Sequence, residues 1–147
     1  MKKLITFFIA LFISAASFGQ NTNDESTIKN VIEGETLAFA NADLAQWSDY
    51  FVHERYVRWS VSPKMYFNGW DSLYAGAKSF LENSSGRKDA NALHKINRTD
   101  WDIHINGNMA FVKFVQTWEG NAGPSQQFRV LEKINGKWKI AMLVAVQ

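Results

Sequence analysis

Glu35 is the residue of this 147-residue chain best placed by type and spacing to move a proton. It lies four residues after Val31 and four before Phe39, on the apolar stripe of a predicted first helix. A carboxylate on such a stripe must be paired, hydrogen-bonded or protonated. Two roles are open to it: a pocket acid or base, or a glutamate at the edge of the stripe that reaches water or pairs with Arg58, Arg129 or Lys95. Trp59, Trp101 and Trp118, with Tyr50, Tyr66 and Tyr74, are candidates to wall a pocket for a flat apolar ligand or a sugar ring, although core filling accounts for several of them equally well. Asn97 and Gln116 discriminate better, because a buried amide needs a partner that a ligand or water can supply.

Other chemistries find little footing. His53, His94 and His104 form no i, i+4 pair and no HExxH pattern, so no metal site is expected. Asp100, Asp102 and His104 alternate along one predicted strand, where Asp100 facing Lys113 reads as a solvated charged strip rather than a catalytic dyad. His53-Glu54-Arg55 reads as a solvated turn. Cysteine is absent, which removes disulfides, thiolate metal sites, a cysteine nucleophile and a lipid-modified cysteine anchor. With no glycine-rich phosphate loop and no G-x-S-x-G elbow, no cofactor is expected.

Composition bounds the rest. The chain is 46% hydrophobic, 14% aromatic and 20% charged, enough apolar surface for one folded domain and too short for two. The formal charge of +2 belongs to the first residues. Lys2 and Lys3, the apolar run Leu4 to Ile13 and the small-x-small site Ser17-Phe18-Gly19 have the layout of a secretory signal over residues 1–19, too short to span a membrane. Its removal leaves 14 basic against 14 acidic residues over 20–147, a neutral chain with scattered lysines and arginines. The protein is thus expected to be exported, periplasmic or secreted, with no nucleic-acid partner and no stable membrane anchor.

Helical spacing runs from about Glu25 to Ala40, with Ile28, Val31, Ile32, Ala38, Phe39 and Ala42 inward. Asp43 is placed to cap a short second helix carrying Leu44, Trp47 and Phe51 on one face. Tyr56 to Val61 suits a strand, with a turn at Pro63, and a third helix runs from about Trp70 to Glu82 with Leu73, Tyr74, Ala77, Phe80 and Leu81 inward. Beyond the polar loop 83–91 the period changes to two. Leu93 to Ile105 and Met109 to Glu119 form a hairpin through Asn106-Gly107, and Gln126 to Ile134 with Lys137 to Val146 a second through Asn135-Gly136. Strict pairing in the first hairpin sets Trp101 opposite Val112, Asp100 opposite Lys113 and Asn97 opposite Gln116. Asn97, Thr99, Trp101, Ile103 and Ile105 then share the inner face, and a bulge would flip part of that assignment. The fold class is α+β: three helices, then a four-strand antiparallel meander covered on one face by the helices.

Phe39-Ala40-Asn41-Ala42-Asp43-Leu44, Phe67-Asn68-Gly69-Trp70-Asp71-Ser72-Leu73 and Arg129 to Ile140, with its Asn135-Gly136-Lys137-Trp138-Lys139-Ile140 close, carry a resemblance to the nuclear transport factor 2-like superfamily. Within it the chain is most similar to SnoaL-like and ketosteroid isomerase-like bacterial members. The resemblance covers about Asp24 to Val146. It implies a cone-shaped, cystatin-like α-β roll with a pocket between a curved sheet and the first helix, and a homodimer through the outer sheet face. Ile96, Met109, Phe111 and Val115 put apolar surface on that face. An ungapped match to the isomerase pattern puts Trp59 where the proton-abstracting aspartate belongs, which leaves that chemistry without its base. The same match puts Glu35 at the position of the first-helix tyrosine. The leading expectation is therefore an exported domain binding a small organic molecule in an aromatic pocket, without a demonstrable catalytic apparatus. The alternatives are a SnoaL-like acid/base enzyme, an isomerase, dehydratase or hydrolase using Glu35, and a protein-interaction module working through the outer sheet face.

Overall fold

The computed structural model describes residues 23–62, 65–84, 88–89, 91–120 and 123–146; the expected secretory signal and the expected turn at Pro63 lie outside them. Helix α1 occupies residues 23–40 and turns Asp24, Ile28, Ile32, Glu35 and Ala38 to the interior. It stops where Ala42 takes φ +54°, letting the Asp43 N–H reach the Ala38 carbonyl at 2.9 Å and the Ala42 N–H reach that of Phe39 at 3.1 Å. That paired closure of a helix end usually uses glycine at the left-handed residue. Asp43 then accepts the Gln46 N–H at 3.0 Å and caps α2 (Leu44–Asp49), as its spacing predicts.

Strands β1 (Arg58–Ser62) and β2 (Met65–Asn68) precede α3 (Trp70–Ser84). A short 3-10 turn, Ala92–Lys95, leads into β3 (Ile96–Asn106), β4 (Met109–Trp118), β5 (Ser125–Ile134) and β6 (Lys137–Val146). The six strands form one curved, unclosed sheet in the order β2-β1-β6-β5-β4-β3. The four-strand meander is present, and β1 joins its β6 edge in parallel, pairing Trp59 with Leu143, so the sheet is mixed rather than purely antiparallel. Strand β2 escapes the sequence reading because its four residues are exposed or half-buried without alternation.

Two corrections concern the first hairpin. Its turn residues are Gly107, at φ +58°, and Asn108, with Asn106 facing Met109, so the turn sits one residue beyond Asn106-Gly107. Farther along β3, Asp100 and Trp101 together oppose Phe114, and Asp100 takes φ +54°. This β-bulge reverses the faces of the strand's first residues. Trp101, Ile103 and Ile105 point inward as expected; Thr99 and Asn97 turn outward, and Arg98 turns in, opposite Gln116. Lys113 accordingly faces Asp102, not Asp100.

The core lies between the helices and the inner sheet face, around Trp47, Phe51, Phe114, Ile28, Ile32, Leu131 and Ile140. Each such fully buried side chain contributes about 2 kcal/mol by leaving water. α3 presents a narrower stripe than its periodicity suggests: Leu73, Ala77 and Leu81 are buried, whereas Tyr74 and Phe80 are exposed.

Candidate functional site

Between α1 and the inner sheet face lies a cavity of about 270 Å³. Helix α1 lends it Glu35, Thr36 and Phe39, β1 lends Trp59 and Val61, β4 lends Gln116 and Trp118, β6 lends Leu143 and Ala145, and β5 lends Ser125, Gln127 and Arg129. The β5 set follows from period two: alternate residues face inward, so Ser125, Gln127 and Arg129 are all buried.

These side chains form a connected polar layer. Gln127 Nε2 donates to Ser125 Oγ at 2.8 Å, and Ser125 Oγ donates to the Gln116 carbonyl at 3.2 Å. Arg129 Nη2 donates to Gln127 Oε1 at 3.1 Å and Nη1 to the Phe128 carbonyl at 2.9 Å, while its buried Nε has no partner. Arg98, delivered by the bulge, donates from Nε to Gln116 Oε1 and from Nη2 to Thr36 Oγ1, both at 2.8 Å. The Arg98 and Arg129 guanidinium carbons lie 5.7 and 5.4 Å from the centroid of the Phe114 ring, which holds two cations near one another without joining them.

Glu35 is the carboxylate of this layer. Trp47 Nε1 donates to its Oε1 at 2.9 Å; the Thr36 hydroxyl lies 3.4 Å from Oε2, but its proton is directed to the Ile32 carbonyl at 2.9 Å. Burial holds the carboxyl above the usual carboxylate range, against the opposing pull of Arg129, the Trp47 bond and Arg98. Burial likewise brings Arg129 down to about 10. Of the three cations proposed by spacing as partners for Glu35, Arg58 bonds to the carbonyls of Arg55 and Val57 and Lys95 pairs with Asp89, so only Arg129 acts on it. No ion pair within 4.0 Å joins Glu35 to either guanidinium among the described residues.

A raised carboxyl makes the folded state bind more protons than the unfolded one above the ordinary glutamate range. Stability from this group is therefore full below that range and declines as pH rises through the folded value. Glu35→Gln, which keeps the acceptor for Trp47, is expected to remove this decline. Its unfolding free energy should match that of the parent near pH 4 and exceed it at pH 8, by about 1.4 kcal/mol for each unit by which folding lifts the carboxyl. A variant less stable than the parent at pH 8 would mean that the two arginines need the negative charge.

Glu35, Trp59, Gln116 and Trp118 thus meet at the cavity. Trp101 instead stacks on Phe114, centroids 4.4 Å apart. Tyr50 packs against α1, its ring occupying the space that a Cβ on Gly34 would need, and Tyr74 packs on Trp70 at the surface. Asn97, turned out by the bulge, is exposed. Arg98, Ser125 and Gln127 are the site residues that sequence reasoning missed; the inward alternation of β5 carried the signal for the last two. A second, apolar groove of about 700 Å³ adjoins the cavity, shares Phe39, Trp59 and Val61 with it, and continues along Phe67, Leu73 and Phe80. No three metal-ligating side chains converge among the described residues, and the Asp102–His104 pair, 2.9 Å apart, is exposed on the outer face.

Three helices on a six-strand curved, unclosed sheet, with a cavity between the first helix and the inner sheet face, make the nuclear transport factor 2-like or cystatin-like α+β fold. A protein from Novosphingobium aromaticivorans provisionally named as a scytalone dehydratase superposes with a TM-score of 0.65 at 16% identity, over 87% of this chain and 86% of that one. An NTF2-like protein with a cystatin-like fold from the same organism gives 0.64 at 12% identity, over 88% and 85%, and a DUF3225-family protein of unknown function from Pectobacterium atrosepticum gives 0.64 at 16%, over 82% and 88%. At such identities the likeness is one of fold. No protein-family model and no curated protein matches the sequence.

Proposed function

We propose that the chain is an exported domain that binds a small organic molecule in the cavity between α1 and the sheet. The observation that carries this reading is a polar layer with an unpartnered buried nitrogen, opening onto a wall of Trp59, Phe39 and Trp118. Native mass spectrometry of protein from its own host should reveal a retained adduct, absent from Ala145→Trp, whose indole fills the cavity. The same adduct on both forms would place the molecule elsewhere, and no adduct under any gentle purification would count against the reading.

A second reading has its own support: a buried carboxyl with a raised proton affinity is suited to acid/base chemistry, as in a SnoaL-like isomerase, dehydratase or hydrolase. One structural neighbour carries a dehydratase name. Under that reading Glu35→Gln abolishes turnover of the retained molecule while leaving it bound.

Met109 and Phe111 are 53% and 42% exposed on the outer sheet face, and Phe111 packs on Phe128 of the adjacent strand. This surface supports a homodimer, or docking of another protein, through that face. Phe111→Glu should then elute as a smaller species in size-exclusion chromatography, and unchanged elution would remove the interface.

A further inference from the structure

We propose that the cavity takes the carboxylate of a small organic acid, whose apolar body runs past Trp59 and Phe39 into the groove beside Phe67 and Phe80; this rests on the pocket reading above. Arg129 carries the argument. It is 4% exposed and has five N–H donors, of which one goes to Gln127 and one to the Phe128 carbonyl. Its Nε has no partner. A buried guanidinium left this far short of acceptors is costly unless something else supplies them, and a carboxylate matches its planar fork.

Charge points the same way. Arg129 from β5 and Arg98 from β3 face one buried carboxylate, Glu35 from α1; the exposed Glu33 of the same helix also acts on Arg98, and Trp47 from α2 and Thr36 add only neutral hydrogen-bonding groups. The two guanidiniums outnumber the one carboxylate in the layer, so positive charge is left for an anionic head whether Glu35 is ionised or protonated. Among the described residues, the adjoining groove is by contrast lined by no titratable side chain. An ionic head at one end and a dry trough at the other fit an aryl or alkyl monocarboxylate.

Because burial already favours the protonated carboxyl of Glu35, a second carboxylate beside it favours protonation further, and Oε2 then has a proton to donate to the ligand. Binding of the acid is thus coupled to proton uptake, and affinity falls as pH rises above the range in which Glu35 ionises, by up to tenfold per unit.

Titration calorimetry of the purified protein with octanoate and with octanamide tests this. Octanoate should bind at least tenfold more tightly than octanamide at pH 7. Glu35→Gln should bind octanoate more tightly than the parent at pH 8 and with no pH dependence between pH 6 and 9. Arg129→Gln should bring the two probes within twofold of each other; should that variant not fold, the Glu35→Gln result decides alone. Equal affinity for octanoate and octanamide would overturn the carboxylate assignment while leaving the pocket reading intact. Binding of neither probe would also overturn it, and only the loss of every retained adduct in native mass spectrometry would take the pocket reading with it.

Discussion

Asp24→Ala is expected to lower the unfolding free energy by about 3 kcal/mol, the lower end of the cost of breaking a buried ion pair. Asp24 sits at the start of α1 yet bonds to the far end of the chain: its Oδ1 accepts from Lys133 Nζ at 2.6 Å and from Trp138 Nε1 at 3.1 Å. Both donors belong to the closing hairpin, and the Lys133 ammonium lies 5.3 Å from the centroid of the Trp138 ring. Removing the carboxylate strands a nearly buried indole N–H and a lysine whose side chain keeps only 20% exposure. The remaining access of Lys133 to water keeps the expected cost from rising higher. For a domain of this size the loss corresponds to a Tm lower by roughly 10 °C. Asp24→Asn, which keeps an acceptor for Trp138 and loses the charge, should cost about half as much. Chemical denaturation of the three proteins decides it; a loss below about 1 kcal/mol for the alanine variant would mean that the start of α1 is held without help from the Asp24 carboxylate. Glu35 rides on this helix, so the cavity's carboxylate is positioned in part by a contact eleven residues away.

Asp24 also illustrates what a single sequence conceals. An aspartate at the start of a helix is ordinary there, and nothing local points to Lys133 or Trp138. Where the signal is local, reading succeeds: α1 and α2 follow their apolar spacing, Asp43 caps, and Asn135 and Gly136 take φ +51° and +77° in the tight turn that their types favour. The hairpin of β5 and β6 therefore has its turn where the sequence puts it, with Ile134 facing Lys137. The parallel docking of β1 on β6 depends on contacts far apart in the chain and leaves no periodic trace in five residues. Glu35 was legible because a carboxylate on an apolar stripe conflicts with its surroundings. Arg98 was not, because one extra residue in β3 changes the face of every residue before it.

That extra residue gives the second large effect. Asp100 has an exposed side chain whose one hydrogen bond comes from the adjacent Thr99 hydroxyl at 3.2 Å, so on contacts alone its replacement should change stability by no more than about 0.5 kcal/mol. Its backbone argues otherwise. At φ +54° a β-branched side chain is strongly disfavoured, while glycine is at ease and aspartate tolerable. Asp100→Val is therefore expected to destabilise by about 2 kcal/mol and Asp100→Gly to stabilise by about 1 kcal/mol, a spread that no contact of the side chain can produce. The valine variant also bears on the cavity, since a strand that avoids the bulge by regular pairing turns Arg98 outward and Asn97 inward. Arg98 would then lose Gln116 and Thr36, and the inner face would exchange a guanidinium for an amide. Deleting Asp100 altogether should be milder than valine, because pairing Trp101 with Phe114 and Thr99 with Val115 in sequence leaves Arg98 facing in without the left-handed residue. Denaturation midpoints that rank glycine above aspartate, valine well below it and the deletion above valine support a bulge held against its backbone preference so that Arg98 can enter the site. Equal stability of the glycine and valine variants would put the cause in the side chain instead.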